Sequence, residues 1–566
     1  MKGFRLRAAA FALASLAAVL LFAACTIHQR AHVAARSVDA AAGNGLSVCV
    51  LFFDGLSAQA FQRLVDEGAL PTIEAEILRR GLVVDTAVAS VPSETYPNLA
   101  AMLTGLLPGH HGIPANIWLD RRIHLREAHT NIFRTYAASE FLIPQSRTLY
   151  ERLPPDTVAV TSPLARGVTV HSKNIVALMA SWARNDWQFL DRKTLDDAGD
   201  AYVGAATAGR LPPLVWTHIL GTDEVAHERG PESAEFKATM VSVDRALARL
   251  VRRLKRRHLY ERVLFCLIGD HGNSSYETYV DASELVHRAL FSHPTEADCR
   301  TGDCFVVPSK RKKEDYDVGG ALIAVGAYRG AMIWLPSEHP PEDVPTALRT
   351  RKGRGLLHRT PRPSALKEMP PTSAFAAALA RLPELQLVVT RGEAAGDVEI
   401  YGNAGRSEII RQERDGEESR YLYRVLEGAD PLGYAGLPSL APFLGTFLSG
   451  DDWLAVTIST EYPDLVVQLA EFFDSPRAPD VYVTPRAGFG FREGKAAGHG
   501  SLARSEMVVP LVFAGPGVTP GHLAFARTVD LAPTLLSYLG VSFDADDLDG
   551  NDLVIAPKAG GDAPGE

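Results

Sequence analysis

Apolar positions in this chain follow two rhythms. Ser47 to Phe53 (SVCVLFF), Pro213 to Leu220, Arg262 to Ile268 and Val508 to Ala514 are nearly unbroken apolar runs of strand length. A half-exposed strand alternates, whereas runs of this kind are expected of strands buried on both faces, as in a parallel sheet. The second rhythm is helical: Val243, Ala246, Leu247, Leu250, Val251 and Leu254 recur every three or four residues within the stretch 234–258. Arg and Lys fill many of the remaining positions, so the run Arg252 to Arg257 reads as a solvated helix face. Strands alternating with helices predict an α/β fold, a mostly parallel central sheet with helices on both faces. In such sheets ligands gather at the carboxyl ends of the strands. The alternation breaks between about 305 and 475, where Leu385 to Val389, Val398 to Tyr401, Ser407 to Arg411 and Tyr421 to Val425 predict short antiparallel strands in an inserted α+β elaboration. The basic loops 309–313 and 349–354 in this region read as solvated surface.

The first residues follow a different pattern. Lys2, Arg5 and Arg7 precede an apolar run from Ala8 to Ala24, interrupted only by Ser15 and ending at Cys25. This is the pattern of an export signal. The run is shorter than the roughly 20 apolar residues that span a bilayer. It resembles a bacterial lipoprotein signal, which implies lipidation at Cys25 and anchoring to a membrane, although Phe22 leaves simple cleavage open. Either outcome places the mature protein outside the cytoplasm, in the periplasm or at the cell surface. Residues 26–44, rich in Ala, Arg and Gly, read as a tether.

Composition narrows the classes. The 566 residues include 46% hydrophobic and 22% charged, with 58 Lys+Arg against 67 Asp+Glu for a net charge of −9. These values exclude wholesale disorder, a collagen-like chain and a multispan membrane protein. The acidic balance argues against a nucleic-acid partner, which usually demands a basic footprint. Of the five cysteines, Cys299 and Cys304 lie in a loop-like stretch and are candidates for a small disulfide. Cys49 and Cys266 sit in apolar strands and read as buried free thiols.

Ionisable residues with ligating chemistry appear where the sheet should end. Asp54 follows the first apolar run; Asp223 and His227 form Asp-x-x-x-His after the second; Asp270 and His271 follow the third; His499 lies in Gly-His-Gly-Ser. Singly, each is unremarkable, since Asp-Gly is a common turn and Asp-x-x-x-His arises by chance. Three Asp and three His converging on loop positions would be costly to bury without a metal. Imidazole and carboxylate together suit Zn²⁺ or a similar first-row ion. Six such groups and one hydroxyl are enough for two divalent ions.

The order of these residues resembles the alkaline phosphatase superfamily, particularly its nucleotide pyrophosphatase/phosphodiesterase branch. The stretch Pro92 to Asn116 (PSETYPNLAAMLTGLLPGHHGIPAN) is similar to the family's nucleophile segment, and Thr528 to Ser537 to its closing helix. The similarity spans roughly 46–290 and 480–545. It implies one metal on Asp54, Asp270, His271 and the Thr95 oxygen, and another on Asp223, His227 and His499. Thr95 would be the nucleophile, its pKa lowered by the metal and helped by the helix N-terminus. A phosphothreonine would form and be hydrolysed, and Asn116 would donate to a nonbridging phosphoryl oxygen. His110 and His111 read as turn and packing residues, Pro97 as a first-turn proline, and Asn98 as a loop buttress.

The implied organisation is a signal over 1–24, a lipidation site and tether over 25–44, a catalytic domain over 45–300 and 476–555, an inserted cap over 301–475 and a flexible tail over 556–566. The substrate side departs from the branch: Glu94 stands where Lys is typical, Leu99 where His is, and Thr222 where Pro precedes the Asp. A sulfatase is disfavoured, because the segment lacks the Cys/Ser-x-Pro-x-Arg motif. The expected activity is two-metal hydrolysis of a small-molecule or lipid-headgroup phosphoester, a diester in preference to a monoester. A phosphomonoesterase or phosphonate hydrolase, a headgroup transferase and a non-catalytic binding lipoprotein stay open as alternatives, and so does the oligomeric state.

Overall fold

A computed structural model of the chain describes residues 45–120, 125–128, 135–290, 306–307, 322–335, 371–414 and 417–555. Cys25 with the signal and tether, Cys299 and Cys304, both basic loops and the tail lie outside the described residues. Among those described, no helix is long and apolar enough to cross a membrane.

Eight strands form the central sheet, in the order Gly521–Arg527, Gly81–Val88, Val508–Ala514, Val263–Gly269, Ser47–Phe53, Leu214–Ile219, Val158–Val160 and Val170–Ser172. Every pairing is parallel except the two made by Val508–Ala514. The apolar run predicts Val508–Ala514 as one more parallel strand, and the structure runs it antiparallel to both neighbours. A continuous apolar pattern reports burial on both faces and carries no information about direction.

The alternating side chains of the Ser47–Phe53 strand enter separate cores. Val48, Val50 and Phe52 pack with the helices Thr95–Thr104 and Leu531–Tyr538. Cys49, Leu51 and Phe53 pack with Ala58–Asp66, Trp187–Thr207 and Ala234–Arg256. Each fully buried Leu or Phe contributes roughly 1.5–3 kcal/mol relative to an exposed one. Helix starts are fixed locally: Ser233 Oγ accepts the Phe236 amide at 3.1 Å, a side-chain cap that begins the Ala234–Arg256 helix. Cys49 and Cys266 are free and buried, and they enter the two different cores, so the sheet itself separates their sulfurs.

The inserted region builds a second sheet of nine strands, in the order Val306–Val307, Leu322–Gly326, Ala331–Trp334, Val481–Pro485, Leu385–Arg391, Val398–Gly402, Gly405–Arg414, Glu417–Gly428 and Leu448–Ser449. It is antiparallel apart from its first pair. Val481–Pro485 joins it from beyond residue 475. Trp334, Leu387, Val389, Ile400 and Tyr423 belong to the same core as the helix Thr95–Thr104, so this sheet is fused to the central one. Its other face, through Ile333, Val388, Tyr401 and Val483, packs with the helix Thr372–Ala380.

Candidate active site

Strand register brings the acidic residues together. Phe53 and Gly269 are paired across adjacent parallel strands, so Asp54 and Asp270, each one residue further on, emerge side by side. The strand Leu214–Ile219 flanks them on the other side and leads into the helix Gly221–Arg229, on which Asp223 and His227 stand one turn apart. Thr95 opens the helix Thr95–Thr104. The loop before it is held by Asn98, which accepts the Ser90 amide at 2.6 Å and donates to the carbonyls of Ser90, Pro92 and Glu94 at 3.1, 2.9 and 2.9 Å.

The structure brings all seven residues of the expected ligand set to one end of the sheet. Thr95 Oγ1 lies 3.3 Å from Asp54 Oδ1 and 3.2 Å from His271 Nε2. His271 Nε2 is 3.5 Å from both Asp54 Oδ1 and Asp270 Oδ2. Asp223 Oδ2 is 3.0 Å from His227 Nε2, and its Oδ1 is 3.9 Å from His499 Nε2. Two groups of buried ligand atoms result, Asp54 with Asp223 and His271, and Asp223 with His227 and His499, each within 4.8 Å.

The hydrogen-bond pattern of the imidazoles suits a cation. Nδ1 of His227, His271 and His499 faces the carbonyls of Ala497, Gly272 and Ser93 at 3.0, 3.1 and 2.9 Å. A carbonyl accepts only, so each Nδ1 carries the proton and each neutral ring presents the Nε2 lone pair. Those lone pairs face carboxylates, which are also acceptors. Acceptor against acceptor at these distances requires a cation or an extra proton between them. Asp270 adds an orphan: Oδ1 accepts the amides of Gly55 and His271 at 2.9 Å each, while buried Oδ2 has no hydrogen-bond partner among the described residues. The donor set fits two divalent ions.

Without ions the titrations are forced apart. Burial drives the Asp270 carboxyl well above its ordinary range, and the Asp54 charge adds to this. Burial opposes charge on His271 too, but Asp270, Asp54 and Asp223 raise it to about 10. His499 is pushed well below its usual value by burial and by His271. Burial works against the Asp223 carboxylate, yet His227 and His499 hold it far below the usual range.

Asn116 sits beside the start of the Thr95 helix, its Oδ1 accepting the Tyr96 amide at 2.8 Å. Glu94 turns inward and accepts the Asn116 amide at 2.6 Å; burial raises its carboxyl to about 7. The substitution at 94 therefore serves the Asn116 loop directly.

Three supporting residues escaped the sequence reading. His218 Nε2 donates to Asp54 Oδ2 at 2.8 Å. Asp191 accepts the amides of Leu220 and Gly221 at 3.0 and 3.2 Å, fixing the start of the helix that bears Asp223. Asn273 donates to Asp223 Oδ1 at 3.0 Å. Only Asn273 left a signal, its place two residues after the Asp-His pair.

The reading of the two vicinal histidines needs correction at one position. His111 is buried against the Pro97 carbonyl, as expected of a packing residue. His110 is an ion-pair hub: Nδ1 meets Asp549 at 2.7 Å, and Nε2 meets Glu471 and Asp474 at 3.2 Å each. The sequence places these acids more than 300 residues away, which hid the cluster.

A helix-borne threonine beside an Asp/His cluster, at the carboxyl edge of a mostly parallel sheet, defines a member of the alkaline phosphatase superfamily. The family model for type I phosphodiesterase / nucleotide pyrophosphatase matches residues 48–392, and the chain belongs to this family. Among its relatives, ectonucleotide pyrophosphatase/phosphodiesterase 1 of Saccharomyces cerevisiae is 25% identical over 221 residues, covering 33% of this chain and 28% of its own. Ectonucleotide pyrophosphatase/phosphodiesterase C27A7.3 of Caenorhabditis elegans is 24% identical over 246 residues, 42% of this chain and 30% of its own. The alignments thus cover less than a third of the length of these two relatives. Human ectonucleotide pyrophosphatase/phosphodiesterase 5 shares the fold, with a TM-score of 0.52 at 13% identity over 90% of this chain and 97% of its own. An inactive form of the murine protein 5, solved in complex with AMP, gives 0.50 at 13% over the same shares.

Proposed function

We propose that this chain is an exported phosphodiesterase that works through a phosphothreonine on Thr95. The observation that carries the reading is the set of three Nδ1-anchored histidines whose Nε2 lone pairs meet carboxylates around the Thr95 hydroxyl. Asp54, Asp270 and His271, with Thr95, would hold one divalent ion, and Asp223, His227 and His499 the other. Bound there, such ions, Zn²⁺ by this donor set, supply Lewis-acid stabilisation of developing oxyanions.

The protein's own groups do the rest. Thr95 Oγ1 donates toward Asp54 Oδ1, the acceptor that would take its proton as the hydroxyl attacks and from which the leaving group would be protonated. Attack forms the Thr95 oxygen–phosphorus bond and breaks the bond to the leaving alcohol or phosphate. Water then cleaves the phosphothreonine and restores the hydroxyl. Asn116 spends its carbonyl oxygen on the Tyr96 amide, which leaves Nδ2 to donate to a nonbridging oxygen. His218 keeps Asp54 oriented.

The AMP complex of the murine structural relative supports a small nucleotide-like phosphoester as substrate. The Ala8 to Ala24 run and Cys25 support export and a lipid anchor in a bacterial membrane. The deciding assay compares an activated phosphodiester with its monoester, using the chain from residue 26 onward with Zn²⁺, beside Thr95→Ala and chelated controls. Faster diester cleavage that vanishes in both controls is the expected result. Faster monoester cleavage moves the substrate class, and inactivity of the metal-loaded protein overturns the proposal.

A further inference from the structure

The Gly498-His499-Gly500 loop is braced by the inserted sheet. Between the strands Leu322–Gly326 and Ala331–Trp334, a hairpin tip closed by the Ala327 amide on the Gly330 carbonyl at 2.8 Å presses against this loop. The Tyr328 ring lies flat on His227, with centroids 3.6 Å apart and planes at 14°. The next residue reaches the other histidine: the Arg329 amide donates to the His499 carbonyl at 2.8 Å. Its guanidinium Nε donates to Glu506 Oε1 at 2.7 Å, and Glu506 Oε2 accepts the Ser501 amide at 2.6 Å, so a buried ion pair fixes the far side of the same loop.

Both partners are trimmed to meet. A Cβ on Gly498 would stand 2.2 Å from Tyr328 Cβ, and one on Gly330 would stand 2.3 Å from the Gly500 carbonyl oxygen. The close approach leaves a run of rings, Tyr328 on His227 at 3.6 Å, His227 beside His499 at 5.1 Å and His499 on His271 at 3.7 Å.

The two in-plane contacts of His227, Nδ1 to the Ala497 carbonyl at 3.0 Å and Nε2 to Asp223 Oδ2 at 3.0 Å, do not oppose a swing of the ring out of its plane. A flat aromatic neighbour removes that swing and keeps Nε2 on Asp223. We infer that Tyr328 is a positioning residue for the Asp223, His227 and His499 half of the centre, and that the hairpin of the inserted sheet exists in part to supply it. The inference rests on the two-metal reading. It gives the insertion a role in holding an ion that the central sheet alone does not complete.

The test titrates Zn²⁺ against a chromophoric chelator in the full chain and in Tyr328→Leu, Tyr328→Phe and Gly498→Ala, with thermal melting of each metal-free protein as the folding control. The parent should bind two ions. Tyr328→Leu should keep one ion at parental affinity and bind the other about 10- to 100-fold more weakly, the range for lost support of a metal ligand. Tyr328→Phe should bind both normally, because the contact is made by the ring. Gly498→Ala, whose Cβ would stand 2.2 Å from Tyr328 Cβ and force the hairpin and the His499 loop apart, should repeat the Leu result and serves alone if the Leu variant does not fold. Parental affinity for both ions in Tyr328→Leu and Gly498→Ala, or equal weakening of the two ions, overturns the inference while leaving the two-metal reading intact. A parent that binds fewer than two ions overturns both.

Discussion

Thr95 and His218 divide the chemistry at the residue scale. Among the described residues Thr95 is the one hydroxyl placed against both Asp54 and His271, so Thr95→Ala removes the proposed attacking oxygen and leaves the Asp and His groups in place. Turnover of a phosphodiester should fall by about 1,000-fold or more, while Zn²⁺ stoichiometry stays close to parental; a variant that retains a tenth of the parental rate would remove Thr95 from the mechanism. His218 acts one step back. Its ring meets Phe52 edge-on at 4.6 Å, and its Nε2–H is the donor that orients Asp54. His218→Phe keeps the packing and deletes the donor, so the affinity for a metal on Asp54 should drop by about 10- to 100-fold with little loss of fold; unchanged affinity in a chelator competition would show the bond to be incidental. The contrast explains what was legible at this scale. Asp54, Asp223, Asp270 and His499 announce themselves because they break apolar or glycine-rich stretches, whereas His218 lies inside an apolar strand and only the strand pairing reveals its neighbour.

At the scale of elements, His110 ties together pieces far apart in the chain. It sits on the short helix Pro108–His111 that follows the helix Thr95–Thr104, and it meets Glu471 on Leu465–Phe472, Asp474 just beyond it, and Asp549 near the end of the described chain. Arg411 of the inserted sheet closes the cluster through Asp474 and Glu471. Burial opposes the His110 charge, but hydrogen bonds to Asp474, Asp549 and Glu471 raise its pKa from the ordinary 6.5 to about 12. A group raised on folding contributes stability that is fully present below its unfolded value and is lost as pH climbs toward the folded one. Substituting Gln for His110 should therefore lower the melting temperature more at pH 6 than at pH 9, with the gap from the parent narrowing steadily; a gap independent of pH would mean that folding does not shift the histidine's pKa. Element type was readable from apolar rhythm, as the strands Ser47–Phe53 and Leu385–Arg391 show. Element direction was not, because Val508–Ala514 is apolar on both faces whichever way it runs.

Across the whole molecule, the site is a place where separate stretches of chain deliver charges that no single stretch would bury. Asp54, Asp270 and Asp223 come from the central sheet and its connections, His499 from a late loop, and the support for that loop from the insertion. Each of these groups is nearly or fully shielded from water. Without ions, burial pushes the Asp270 carboxyl upward and its acidic neighbours raise His271, so protons stand in for positive charge. Two divalent ions would replace those protons and bind the folded chain only, because its unfolded form scatters the ligands over more than 400 residues of sequence. Linkage then requires stability to track free metal: at 100 times the dissociation constant one site adds about 2.7 kcal/mol, and at 1,000 times about 4.1. Chelation should lower the melting temperature and abolish diester hydrolysis together, and titrating Zn²⁺ back should restore both over the same concentration range. Asp270→Asn tests the link from the other side. It keeps the Oδ1 acceptor of a buried acid whose Oδ2 has no hydrogen-bond partner among the described residues, so the metal-free variant should melt no lower than the metal-free parent, yet gain less from added Zn²⁺. A parent whose melting temperature ignores Zn²⁺ would mean that these buried groups form a proton-balanced core and that the fold carries the family's architecture without its metals.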